Sequence, residues 1–185
     1  MAVPEDPDRG KSICSRNTLP GLCPVTKDGM KEVYTMKVQT TRFGQIEVDE
    51  SRILKFPKGI LGFPDNHDYA LLQTNEEGNF FWLQSVNRPD VAFVVCDPLL
   101  FVPDYQVQIR PEDCEIIDLE SMDGAQVLII VNKVDRTLTG NLQGPLVINA
   151  LNRLGRQLVL SEKKYSTRHP LIRLETSQEK VSKTA

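Results

Sequence analysis

The chain has 185 residues, a formal charge of -3 at pH 7 and 40% hydrophobic residues, which suits one domain burying roughly 65 to 70% of the surface its unfolded chain exposes. Beyond the pair Lys163-Lys164 there is no Lys/Arg cluster, so composition argues against a surface that tracks nucleic-acid phosphates. The longest apolar runs are about five residues, against the ~18 to 20 that a spanning helix needs, and no signal-peptide apolar region opens the chain, so a soluble, cytoplasmic protein is expected.

Residues 1–35 hold four prolines, three glycines and two cysteines with little periodicity, and are expected to be a disordered leader or the product of an over-long start, with Met30 and Met36 as alternative starts. The regular pattern begins at Met36 and defines a domain over residues 36–174. Strands are predicted at Lys37–Thr41, Gln45–Val48, Ile53–Phe56 and Tyr69–Thr74, with reversals at Gly44 and Asp49-Glu50. Two prolines and two glycines between Phe56 and Pro64 rule out helix there and leave an ordered apolar loop. Asn75 to Asn79 reads as a hairpin connection to a strand at Phe80–Val86.

Val91–Val95 is predicted as a buried strand ended by Asp97-Pro98, because the residue before proline is pushed away from helical angles. A strand is expected at Tyr105–Ile109. Pro111-Glu112-Asp113 then opens the best helix candidate, running to Leu119, with proline in the first turn and carboxylates where the helix dipole favours them. Val127–Val131 has no polar face, so it predicts a strand covered on both sides. A short turn is expected around Thr139 to Leu142. Leu146–Ile148 and Leu158–Leu160 read as two antiparallel strands, and residues 175–185 as a flexible tail. The fold class is therefore all-β, mainly antiparallel and barrel-like, with one or two short helices.

Catalytic signatures are weak. Asn132-Lys133-Val134-Asp135 matches a guanine-reading element, but the phosphate loop it requires is missing from the sequence. The two histidines, His67 and His169, lie in turn- or proline-rich surroundings, and Glu112, Asp113, Glu115, Asp118 and Glu120 fit a solvated helix face. No Gly-x-Ser-x-Gly occurs. Cys14, Cys23, Cys96 and Cys114 match no zinc or redox spacing and read as reduced, inert thiols. The expectation is no enzyme, no catalytic or metal residues and no cofactor. The alternative is a small barrel hydrolase using His67 or His169 with nearby carboxylates.

Apolar loop residues offer a stronger lead. Ile60, Leu61, Phe63, Leu99, Leu100, Phe101 and Tyr105 fall among prolines and are rimmed by Asp65, Asp97 and Asp104, an anchor-and-rim arrangement found at protein interfaces.

At these residues the sequence resembles the flagellar assembly factor FliW family, over about Met36 to Arg173. The matching stretches are Phe56-Pro57-Lys58-Gly59-Ile60-Leu61-Gly62-Phe63-Pro64, Asp97-Pro98 with Pro103-Asp104-Tyr105, Asn141 to Asn149, and Gly155 to Leu160, with Tyr165 and Arg168 after them. The resemblance implies a non-enzymatic, all-β, barrel-like protein that binds flagellin in the cytoplasm and shields its terminal helices; a monomer is expected. It also implies binding to the translational regulator CsrA, which relieves repression of flagellin synthesis; from charge pattern and apolar run length, no direct contact to nucleic acid or membrane is expected. Phe63, Leu99, Phe101, Asp104 and Tyr105 are the expected protein-binding residues. Asn141, Pro145 and Asn149 are expected to be structural, since Asn bonds readily to turn backbone and Pro presets an angle.

Overall fold

The computed structural model describes residues 34–73 and 78–174. The predicted leader up to residue 33, the tail 175–185, most of the Asn75 to Asn79 connection, Cys14 and Cys23 lie outside the described residues. A hairpin of β1 (Thr35–Thr40) and β2 (Gly44–Asp49) forms one small sheet. All remaining strands join one nine-stranded sheet. It begins with β3 (Ile53–Lys55), β4 (Asp68–Gln73), β5 (Phe81–Ser85) and β6 (Ala92–Cys96), and passes to the ten-residue β7 (Ala125–Val134). From β7 it runs to β9 (Leu146–Asn149) and β10 (Gly155–Gln157), while β8 (Thr137–Gly140) and β11 (His169–Arg173) branch from the far end of β7. Every strand ladder is antiparallel.

Side-chain alternation divides the interior into three clusters, since successive residues of a strand face opposite sides of the sheet. Leu54, Tyr69, Leu71, Leu83, Val95, Leu128, Leu146 and Ile148 pack on one face. The alternate residues pack on the other. Ile53 and Ala70 meet Val38 and Val48 of the β1–β2 hairpin, while Cys96, Ile129, Val131 and Val147 lie under Ile117, Leu142, Leu158 and Tyr165. The run Val127–Val131 is therefore covered on both sides, as its lack of a polar face requires.

The sheet is all-β and antiparallel but not closed into a barrel. Its end strands β3 and β10 meet through an isolated parallel bridge, Lys55 to Leu154, with Lys55 N donating to Arg153 O at 3.0 Å. Both end strands are three residues long, and beyond the bridge Pro57 turns the chain away, so no ladder can continue. Helix α1 covers only Pro111–Ile116, because Ile117 leaves helical geometry and Asp118 takes a positive φ of 51°. The predicted strands Tyr105–Ile109 and Leu158–Leu160 are not strands: the strand before Leu158 is β10 and ends at Gln157, and Gln106 exchanges bonds with the Tyr165 hydroxyl at 2.9 and 3.0 Å in place of a ladder. The turn expected at Thr139 sits later, at Leu142 to Gly144, closed by Gly144 N donating to Asn141 Oδ1 at 3.0 Å. Thr139 itself belongs to β8, which follows a tight reversal in which Asp135 holds φ 52°.

Candidate interaction surface

Asp97 accepts a bond from Leu99 N at 2.8 Å and caps the short 3-10 turn Pro98–Leu100, while Phe101 N and Val102 N both donate to Pro98 O at 3.0 and 2.9 Å. Proline at the first position presets the turn. The result holds Leu99 and Leu100 outward, 53% and 54% exposed, side by side on a braced loop. Phe101 is half-buried and stacks on Phe80 at 5.9 Å, and Asp104 is exposed at the rim.

Tyr105 lies elsewhere than an exposed groove would require. Its ring is buried against Tyr165 at 4.7 Å and its hydroxyl donates to Leu142 O at 2.7 Å. Burial, then the neighbouring Tyr165 and Glu162, push its phenol well above the ordinary tyrosine value. It anchors the 97–105 loop to the turn at Leu142 from beneath.

The second proline loop is built differently. Gly59 N donates to Phe56 O at 2.8 Å and Phe63 N to Ile60 O at 2.7 Å, making two successive turns, and Leu61 N is fixed by Gln157 Oε1 at 2.8 Å. Phe56 and Ile60 are buried, Phe63 packs edge-on to Phe93 at 5.3 Å, and Leu61 is left exposed. Phe93 and Val94 are successive residues of β6 and face opposite sides, Phe93 with the Phe63 cluster and Val94 with the Phe101 cluster. Phe63 and Phe101 therefore sit on opposite faces of the sheet, and the two loops do not form one groove.

The remaining candidates are held in structural contacts. His67 Nδ1 bonds Phe56 O at 3.0 Å, whereas His169 lies on β11 opposite Gly140, so the two do not converge. Asp113 leaves the solvated face expected of it and pairs with Arg156 Nε at 2.8 Å. Among the described residues no group of three or more His, Cys, Asp and Glu is placed to hold a metal ion. Asn149 donates to Ile117 O and Asp118 O at 3.0 and 2.7 Å and accepts from Leu151 N at 3.0 Å, pinning the end of α1 to the β9–β10 turn. Cys96 and Cys114 are free thiols, and burial pushes Cys96 up to about 12. No helix of the described residues is long and apolar enough to cross a membrane.

Sequence reasoning did not single out Val159, 65% exposed, or Leu151, 84% exposed. Nothing local marks either one, since Leu158-Val159-Leu160 is apolar throughout and so does not say which residue faces outward.

Residues 37–171 match the family model described as FliW protein. The chain is 41% identical over 139 residues to the flagellar assembly factor FliW of Natranaerobius thermophilus, covering 74% of this chain and 92% of that protein. It is 39% identical over 149 residues to the protein of the same name from Geotalea uraniireducens, covering 80% and 90%. A solved structure described as the crystal structure of the flagellar assembly factor FliW superposes with a TM-score of 0.68 at 33% identity, covering 77% of this chain and 99% of that one.

Proposed function

The chain belongs to the FliW family of flagellar assembly factors, and from that premise we propose that it works without catalysis, as a cytoplasmic monomer that binds flagellin and CsrA in turn. The observation that supports this reading is the braced pair Leu99 and Leu100. Two large aliphatic side chains held in solvent on a capped turn cost little to order when a partner arrives, because the scaffold has already fixed them. The terminal helices of flagellin are amphipathic, and such a helix lying over Leu99, Leu100 and Phe101 makes a helix-on-apolar-surface contact. A stable complex of this kind buries on the order of 1,200 to 2,000 Å². Asp104 supplies the rim and Tyr105 fixes the loop from below, while Phe63 anchors the second loop on the other face. Exposed carboxylates such as Asp104 meet the basic CsrA, so that association slows as salt rises. Partner switching then follows from mass action: flagellin bound to the factor lowers the free pool that can capture CsrA.

The test is capture of purified flagellin and CsrA by the parent and by a double variant, Leu99→Asp with Leu100→Asp. Circular dichroism should be unchanged, since both side chains are exposed. Flagellin binding should weaken by at least about tenfold. Equal capture of flagellin by parent and variant would remove this surface from the reading, and capture of neither protein by the parent would remove the reading itself.

A further inference from the structure

The incomplete seam of the sheet opens into a cleft of about 570 Å³, inside the range of roughly 300 to 1,000 Å³ typical of ligand sites. At the Lys55 to Leu154 bridge the two chain segments run side by side, and Gly155 packs against the Phe56 ring so closely that a Cβ there would meet it at 2.6 Å. Past that point they splay, the loop from Lys58 to Pro64 forming one wall and residues 157–160 the other.

The second wall is the chain just past β10, which ends at Gln157, with one side of its backbone in use. Leu158 N donates to Pro145 O at 2.9 Å and Leu160 N to Gln143 O at 2.8 Å, continuing the β10–β9 ladder. In an antiparallel ladder the alternate residues turn their N–H and C=O the other way, so the backbone of the exposed Val159 turns toward the cleft, while Gln157 is buried and its Oε1 already takes Leu61 N at 2.8 Å. The apolar lining of the cleft includes Leu61 and Val159, 63% and 65% exposed. Lys58, Arg110 and Arg156 bring three cations to it against the single carboxylate of Asp113, which already pairs with Arg156. Lys58 and Arg110 have no acidic partner within 4.0 Å among the described residues. This local sign opposes the net charge of -3 of the whole chain.

We infer that this seam binds an extended acidic peptide segment of a partner protein, which bonds the outward backbone at Val159 and sets its carboxylates against Lys58 and Arg110. Strand addition to an exposed edge takes affinity from main-chain bonds and specificity from alternate side chains. The site lies apart from the Leu99-Leu100 turn and does not rest on the flagellin and CsrA reading.

The probe is a blocked, fluorescently labelled Val-Glu-Val-Glu-Val-Glu peptide titrated into the full-length protein, with the Val-Lys repeat as its counterpart. The acidic peptide should bind with micromolar affinity and the lysine peptide about tenfold or more weaker. Lys58→Glu with Arg110→Glu should abolish that preference. Val159→Pro removes the outward N–H while keeping the inward bonds of Leu158 and Leu160, and should weaken the acidic peptide about tenfold. Val159→Asp, which keeps the backbone but adds a like charge, should weaken it too. The Leu99→Asp, Leu100→Asp protein should bind the peptide as the parent does, which separates this proposal from the preceding one. Equal affinity for both peptides, indifference to the charge reversals or to both Val159 changes, or displacement by free citrate at the peptide's own concentration would overturn the inference.

Discussion

Gly59→Ala isolates what the first proline loop requires of its backbone. Gly59 has φ 62°, a conformation that costs an L-residue about 1 to 2 kcal/mol. An added Cβ would also lie 2.5 Å from Phe63 O, 2.6 Å from Pro64 O and 2.7 Å from Pro64 Cα, all backbone atoms that cannot swing aside. Gly44, with φ 69°, has no atom within 4 Å of the same added Cβ and serves as the control. Gly44→Ala should therefore cost about 1 to 2 kcal/mol and Gly59→Ala roughly 3 to 5 kcal/mol, the upper range for single substitutions. With a urea m-value of about 2 kcal/mol/M, the midpoint should fall by about 0.5 to 1 M for Gly44→Ala and by about 1.5 to 2.5 M for Gly59→Ala. Leu61 and the cleft wall are carried by the same turns, so acidic-peptide binding should also fail in the Gly59 variant while it is still folded. If the two midpoints agreed within about 0.3 M, the close approach to Phe63 and Pro64 would not govern the loop, and the reasoning would be refuted.

Two further outcomes follow from buried polar groups. Asn149→Ala leaves Asp118 O and Leu151 N without their side-chain partner, whereas Ile117 O keeps Asn152 Nδ2 at 3.1 Å; the cost should be about 2 to 4 kcal/mol by urea unfolding, and a loss under ~0.5 kcal/mol would contradict the pinning role. The folded state holds Cys96 neutral, raised from 9.0 to about 12, and Tyr69 neutral, raised from 10.0 to about 12, so each group binds its proton more tightly when folded. Stability should be level through neutral pH and fall from about pH 9 upward, by on the order of 1.4 kcal/mol per pH unit for each ionising group, with Cys96→Ala removing the part of the decline between about pH 9 and 10. An identical profile in that variant would show the thiol is not its source.

The parts of the fold that were legible are those whose signal is local. Val127–Val131 announces two-sided burial by itself, and Leu146–Ile148 is bounded by Pro145 and Asn149, so both strands stand where the residues place them. The misplaced parts depend on partners distant in the chain. Tyr105–Ile109 has strand-like alternation, yet Gln106 bonds a tyrosine side chain 59 positions away, and alternation cannot reveal that no ladder partner arrives. β11 escaped notice because Pro170 weakens the strand pattern, and the sheet accommodates it with a register shift between Pro170 and Ile172. In the interaction surface, the apolar content of the Phe56 to Pro64 loop marked it as ordered, but the face each loop occupies follows from packing with Phe93 on one side of β6 and Val94 on the other. The cleft was invisible for the same reason: Lys58, Arg110 and Arg156 come from three separate segments.

The surfaces share one physical feature, the fixing of exposed apolar groups by bonds made behind them. Leu99 and Leu100 ride on a turn closed by Asp97 and Pro98, and Leu61 is tethered through its own N–H to Gln157. An aliphatic side chain on a mobile loop gives up its burial energy to the entropy of ordering that loop, about 1 to 2 kcal/mol per residue of backbone. Here the folding of the sheet has already met that cost, so a partner gains nearly the whole transfer term, about 25 cal/mol per Å² of apolar area covered. Bracing also explains why the buried Tyr105 belongs to the surface without touching a partner. Its bond to Leu142 O holds the 97–105 loop against the sheet, so loss of that hydroxyl should weaken partner binding by loosening the loop rather than by removing a contact.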